Sequence, residues 1–382
     1  MPARRNGRAH QSDCERAVSL SPQAAAALAR IARVSGVRAE PQTLMPAEVV
    51  LELSGEVVRS RLCTFTDASG KEYCLRPDLT TPIAQMVASG ELPIARYHEA
   101  GPVYRLPPRG SNDPVEHLQI GFEWFGNVGS AAEDAEALAV ALEAAQAGGV
   151  KAGSVRFGDV AIYHALIAAL PFTPQWRDRL RRGFSRRKGP RELLASAGVQ
   201  GASPSVVAGI GNLSQTDAIR AVQAEIAALG VEAVGRSVED IASRLREKAR
   251  DAAPDSKASG VLARYLDIEA PAGQSLEMLR GFAREADLDL SDVIDVYADR
   301  LRLIEKLRPP FWSNATFSAE AGRRFEYYDG FVFELTRDGA SDRPIVSGGR
   351  YDGLVPRLSA GSRRASAIGA AIRADRLGEG SQ

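Results

Sequence analysis

The stretch from Ala95 to Gly126, ARYHEAGPVYRLPPRGSNDPVEHLQIGFEWFG, constrains this chain most, because its second arm alternates without a break. Leu118, Ile120, Phe122 and Trp124 fall on one side, and His117, Gln119, Gly121 and Glu123 on the other. A period of two predicts a strand whose apolar side packs on a core. The first arm, Arg96 to Arg105, is expected to pair with it as an antiparallel hairpin, the connection being broken by Pro107, Pro108, Gly110 and Pro114. The polar side sets an amide, a glycine and a carboxylate in a row, which suits a small polar ligand. The plain alternative is a half-exposed strand with an ordinary solvated face.

The 382 residues suffice for two or three domains and a substantial core. The 48 basic and 48 acidic residues cancel, so no overall field draws in nucleic acid, which is not expected as a partner. Cys14, Cys63 and Cys74 show no CxxC spacing and there are 4 His. No metal site, disulfide framework or cofactor is therefore expected, and a reducing, cytoplasmic setting fits. No apolar run is long enough to span a membrane, and the basic N-terminus has no apolar stretch behind it to make a signal peptide.

Along the chain, residues 1–16 read as a loose tail. Ser21-Pro22 opens an Ala-rich helix that Gly36 ends. Strands are expected at Arg61 to Thr66 and Glu72 to Leu75, around the turn Asp67-Ala-Ser-Gly70. A helix containing Ile83, Met86 and Val87 follows, and Ser130-Ala-Ala-Glu133 is a capping box for another that ends at Gly148-Gly149. After a strand at Ser154 to Val160, helical patterns occupy 161–169, 175–182, 215–229, 237–251 and 275–307. Strand texture returns at Tyr327 to Leu335 and near Ile345, and a final segment, Ala365 to Leu377, closes the chain. Strands, then helices, then strands predict an α+β core of 17–160 and 309–382, interrupted by a mainly helical insertion at 161–308.

Several short stretches carry candidate chemistry. Arg76-Pro-Asp78-Leu-Thr80 places a carboxylate and a hydroxyl on a turn entering a helix, where the plain alternative is capping. Asp78, Glu123 and the Gln119 amide could hold an ammonium group, and Arg105 could take a carboxylate. That is the polar inventory of an amino-acid pocket. Tyr327 and Tyr328 flank a strand, and Gly348-Gly-Arg350-Tyr351-Asp352-Gly is a turn with functional side chains. The run Arg177 to Arg191 is strongly basic and reads as a solvated helical face or a docking patch for an acidic partner.

Taken together and in order, LRPDLTTP, YHEAGPVYR, LQIGFEWFG, EYYDGFVFE and GGRYDGLV resemble the catalytic domain of class II histidyl-tRNA synthetases. The resemblance spans about residues 17–377 and is greatest to that family's non-synthetase paralogues, the regulatory subunits of ATP phosphoribosyltransferase. It implies a class II synthetase-like antiparallel sheet flanked by helices. It also implies a short-form catalytic subunit as partner, L-histidine as effector, and a homodimer, formed around Pro41, within a hetero-octamer. The activity implied is regulatory: activation of the catalytic subunit in histidine biosynthesis, and feedback inhibition by histidine. Asp78, Thr80, Gln119 and Glu123 match the family's contacts to the ligand's ammonium and imidazole, and Arg105 matches the second-motif arginine. Arg323, Tyr327 and Tyr328 match an RGLDYY-like stretch, with Arg324 where the family has glycine.

Departures from the synthetase pattern separate the function classes. Asp113 and Val115 stand where the synthetase loop carries ATP-holding arginines, and Arg373 replaces a glycine lining the adenine site, although Arg376 remains. Few residues follow Leu377, where a synthetase continues into its anticodon-binding domain. A non-catalytic regulatory subunit is therefore expected. Its rivals are a truncated synthetase-like enzyme forming histidyl-adenylate and an RNA-binding module using Arg177 to Arg191.

Overall fold

Two-residue periodicity at Leu118–Trp124 does produce a strand, and it is an interior strand, third from one edge of a nine-stranded sheet. The computed structural model describes residues 20–54, 56–108, 110–111, 113–126, 129–185, 189–199, 210–229, 237–250, 254–322, 327–337 and 343–378. Its strands are β1 (Val37–Arg38), β2 (Leu44–Pro46), β3 (Thr64–Thr66), β4 (Glu72–Leu75), β5 (Arg96–Tyr104), β6 (Glu116–Gly126), β7 (Ser154–Asp159), β8 (Glu269–Pro271), β9 (Thr316–Ser318), β10 (Phe331–Thr336), β11 (Pro344–Arg350) and β12 (Ser366–Arg373). The large sheet runs β1-β5-β6-β12-β11-β10-β7-β9-β8, and β2-β4-β3 form a small separate one. Pairing is antiparallel from β5 across to β7, with parallel pairs only at β1–β5 and β7–β9. The expected α+β class with an antiparallel sheet and flanking helices is what the chain forms.

One face of this sheet is covered by α1 (Pro22–Ser35) and α4 (Ala131–Ala147). Both are rich in alanine, which lets them pack close. Ile120, Phe122 and Trp124 meet Ala24, Ile31, Leu138 and Leu142 there in the main core. The helix starts follow from local chemistry: Ser21 Oγ accepts from the Ala24 N–H at 3.2 Å, and Ser130 Oγ from the Glu133 N–H at 3.2 Å. Trp124 Nε1 donates to Ser35 Oγ at 2.8 Å, satisfying the indole inside the core.

The opposite face is not solvated. Gln119 and Glu123 are 3% and 1% exposed, so β6 is buried on both sides and the plain reading of its polar face fails. The cover comes from α3 (Thr80–Ser89) and from Tyr351 and Leu354, which with Tyr97, Val103 and Phe125 build a second core.

Between β7 and β9 the chain is mostly helical. The pattern at 275–307 resolves into two helices, Ala272–Glu285 and Ser291–Leu307, parted where Asp287 adopts a φ of 53°. Strand β8 joins the large sheet, and the helix Ser291–Leu307 packs on α4. Its Arg300 bridges Asp134 of α4 at 2.7 Å and Asp159 of β7 at 2.6 Å. The helices Gln215–Leu229 and Val238–Arg250 form a small core of their own around Ile210, Ala218, Val222 and Ala242. Among the described residues, no helix is long and apolar enough to cross a membrane.

Candidate functional site

Cross-strand register places the polar residues of β6 beside specific neighbours. Gln119 pairs with Gly101 and Arg373, Gly121 with Glu99 and Ala371, and Glu123 with Tyr97 and Gly369. Residues paired across a sheet share a face, so these side chains all rise on the side covered by α3. The turn before α3 brings Asp78 and Thr80 over them. Asp78 Oδ1 accepts the Thr81 N–H at 2.7 Å, so its capping role is real, yet it also lines the cavity.

Asp78, Thr80, Arg105, Gln119, Glu123, Tyr327 and Tyr328 all line this one cavity, while Arg323 lies outside the described residues. The cavity measures about 20 Å³, room for a single water. Glu123 is its electrostatic centre. Thr80 Oγ1 donates to one carboxylate oxygen at 2.5 Å, and the Tyr351 hydroxyl donates to the other. Burial pushes the Glu123 carboxyl up; these two hydroxyls act against the shift, and Asp78 adds to it. Burial likewise raises the phenols of Tyr327, Tyr328 and Tyr351, so all three remain hydroxyl donors. Their rings meet edge-on, Tyr327 to Tyr328 at 4.9 Å and Tyr327 to Tyr351 at 5.6 Å, and form an aromatic wall.

A larger cleft of about 230 Å³ adjoins the cavity, sharing Arg105, Gln119, Ser347 and Ala371 with it. Arg61, Asp113, His117, Arg373 and Arg376 line its outer part. Arg373 lies along its wall, held by Asp375 through contacts of 2.8 and 2.6 Å. Arg376 donates to the Pro344 carbonyl at 2.7 Å and pairs with Asp113 at 3.3 Å. Arg105 Nε donates to the Pro77 carbonyl at 2.5 Å, which anchors the guanidinium where cavity and cleft meet. Among the described residues, no group of three or more His, Cys, Asp or Glu is placed to hold a metal.

Neighbours in the glycine turn part company. Tyr351 turns into the cavity, whereas Arg350 faces the other side of the sheet and pairs with Asp134 at 2.6 Å. Two features of the site escape the sequence. Gly369 has no side chain to betray a role, yet a Cβ there would lie 1.8 Å from Glu123 Oε2. Glu99 looks like a surface residue and is fully buried; its place in one column with Tyr97, Gly101 and Val103 is the signal that could have found it.

A family model for histidyl-tRNA synthetase matches residues 23–259 and 276–377. A Mesorhizobium japonicum protein named ATP phosphoribosyltransferase regulatory subunit is 33% identical over 337 residues, covering 84% of this chain and 87% of that protein. One of the same name from Brucella anthropi is 30% identical over 344 residues, covering 87% of this chain and 90% of that protein. In fold, the chain resembles an ATP phosphoribosyltransferase regulatory subunit/histidyl-tRNA synthetase from Bacillus halodurans, with a TM-score of 0.62 at 22% identity over 92% of this chain and 76% of that one. It also resembles the histidyl-tRNA synthetase of a Nostoc species, with a TM-score of 0.58 at 14% identity over 92% of this chain and 69% of the other. The chain belongs to the ATP phosphoribosyltransferase regulatory subunits, the paralogous branch of the histidyl-tRNA synthetase family.

Proposed function

We propose that this chain is a non-catalytic subunit that activates a short-form ATP phosphoribosyltransferase catalytic chain and passes on feedback inhibition by L-histidine, which binds in the cavity around Glu123. The observation that carries this reading is the grouping of Asp78, Thr80, Gln119 and Glu123 under an aromatic wall, with Arg105 at the mouth. Acidic and amide groups suit the ammonium and the ring, and the guanidinium suits the carboxylate. In this reading Arg323 adds a further contact, as the family pattern implies.

The cavity, at about 20 Å³, is too small for an amino acid, so the ligand must move side chains to enter. Binding then favours an opened state over the closed one. Restraint of the partner needs only that the two states differ in affinity for histidine; a tenfold difference amounts to about 1.4 kcal/mol. The proposed assembly is a hetero-octamer in the cytoplasm containing homodimers of this chain. The exposed Val37, Leu44 and Phe65 near Pro41 suit the dimer contact. The division into a core of 17–160 and 309–382 and an insertion of 161–308 belongs to the same proposal.

The test is titration calorimetry of histidine on the chain and on its complex with the catalytic subunit, using wild type and Glu123→Ala. Binding by wild type and its loss in the variant support the site; equal affinity removes Glu123 from it. Phosphoribosyltransferase activity with and without the chain tests activation. The open cleft beside the cavity favours a second reading, a synthetase-like enzyme forming histidyl-adenylate. Robust histidine-dependent pyrophosphate exchange would establish it and displace the regulatory reading.

A further inference from the structure

Glu99 holds a carboxyl group that the proposed chemistry leaves unused. It is fully buried, and neither of its oxygens has a hydrogen-bond partner. Its strand position lies directly across from Gly121, diagonally between Gln119 and Glu123, both of which line the cavity. The missing side chain of Gly121 makes room for it: a Cβ there would lie 2.7 Å from Glu99 Oε1. The Nε2 of Gln119 is likewise buried without a partner. Unsatisfied buried groups of this kind carry a desolvation cost that a polar occupant of the cavity lined by Gln119 would relieve.

The charged and titratable neighbours make this arrangement one-sided. Glu123 from β6 and Asp78 from the turn before α3 are acids, and Tyr351 is a phenol already committed to Glu123. Arg76 lies over Gly101, one register step along the face, but its guanidinium donates to the carbonyls of Pro41 and Pro102 and forms no ion pair with Glu99. Arg105 sits at the mouth, tied to Pro77. Burial, with the adjacent Glu123, pushes the Glu99 carboxyl well above the usual carboxylate range and so favours its neutral form. Glu123, which accepts two hydroxyl hydrogen bonds, is the better placed of the two to carry charge.

We propose that Glu99 is a specificity-determining residue that makes the pocket select a ligand with a cation at its buried end, an imidazolium in place of a neutral ring. This rests on the assignment of the cavity to an amino acid. When the imidazolium enters, the O–H bond of the Glu99 carboxyl breaks, its proton leaves to solvent, and the carboxylate remains against the positive charge. No other bond changes.

The experiment is calorimetry at pH 5.5 in buffers of different ionisation enthalpy, using full-length protein alone and with its catalytic partner. The ligands are histidine, mostly cationic at this pH, and 1,2,4-triazolylalanine, whose ring stays neutral. Wild type is expected to release about one proton per histidine and to prefer histidine to the triazole by about tenfold or more, the size of a hydrogen bond to a charged group. Glu99→Gln is expected to release none and to lose most of that preference. If the variant keeps both the proton count and the preference, Glu99 is a packing residue and the proposal falls, while the site stands on its Glu123→Ala test. If wild type binds histidine without releasing a proton, the proposal falls without reference to any variant. Failure of wild type to bind histidine in either form overturns the site and this proposal together.

Discussion

Glu123 occupies space that Gly369 leaves open: a Cβ on Gly369 would come within 1.8 Å of the carboxylate Oε2. The two residues are direct partners across β6 and β12, so neither can shift along its strand without breaking the ladder. Gly369→Ala must therefore push the Glu123 carboxylate off Thr80 and Tyr351. Overpacking of this kind costs about 1–3 kcal/mol. The expected outcome is a folded protein, shown by circular dichroism, with histidine affinity reduced at least about tenfold by calorimetry. Unchanged affinity would mean that the Glu123 position is irrelevant to binding.

Behind the sheet, the Arg300 guanidinium is 5% exposed in its side chain and bridges Asp134 and Asp159, both 1% exposed. It joins the helix Ser291–Leu307 to α4 and β7. Arg300→Met would leave two buried carboxylates, with only Arg350, 2.6 Å from Asp134, for compensation. Breaking a buried pair from one side costs about 3–5 kcal/mol. Denaturant unfolding should show a loss of that order. Arg300→Lys should fall between, because an ammonium cannot reproduce the planar fork.

The placement of buried titratable groups predicts opposing limbs in a profile of stability against pH. Burial, aided by Arg373 and Arg105, lowers His117 to about 3; burial and Arg181 lower His164 to about 4. Both stay neutral in the folded chain while the unfolded chain protonates near pH ~6.5, so their contribution is present above that pH and is lost as pH falls towards 4. Glu99 is raised by burial and by the neighbouring Glu123, and Asp329 is raised by burial to about 6. These carboxyls keep protons that the unfolded chain gives up, so their contribution is full below pH ~4 and is lost as pH rises through the folded values. Melting temperature between pH 4.5 and 8.5 should pass through a maximum. His117→Gln should flatten the acid limb and Glu99→Gln the alkaline one, each by about 2–4 °C per kcal/mol recovered. A profile unchanged by both variants would refute this assignment.

What the sequence disclosed follows the reach of each signal. Ser21, Ser130 and the alternation of Leu118 to Trp124 are local, and each produced its element. Most of the candidate pocket was also legible, because Asp78 to Thr80 and Gln119 to Glu123 each sit within a few residues and converge once the strands pair. Glu99 and Gly369 were hidden because their roles exist only across a register: one is meaningful opposite Gly121, the other opposite Glu123. Arg350 and Tyr351 are adjacent in sequence, but the sheet sends one to α4 and the other into the cavity. The parallel pairs β1–β5, at one edge of the sheet, and β7–β9, one strand in from the other, likewise depend on crossovers that no single segment encodes.

The outer cleft supplies the last prediction. It is lined by Arg61, Arg105, Arg373 and Arg376, a set that could hold phosphates, but its cations are engaged. Asp375 holds Arg373 at 2.6 Å, and Asp113 pairs with Arg376 at 3.3 Å and Arg343 at 3.6 Å. Asp113 therefore lowers the cleft's affinity for a triphosphate twice, by its own charge and by occupying the cations. Its side chain is 30% exposed, so solvent weakens both effects, and about 0.2–1 kcal/mol per pair is the proper scale. Asp113→Asn should raise ATP affinity several-fold in a fluorescent-nucleotide competition assay, with a steeper dependence on salt. Histidine-dependent pyrophosphate exchange is expected to be absent from the variant, because freeing two guanidinium groups leaves Arg373 lying along the cleft wall. Exchange appearing in the variant would show that Asp113 alone had silenced a synthetase.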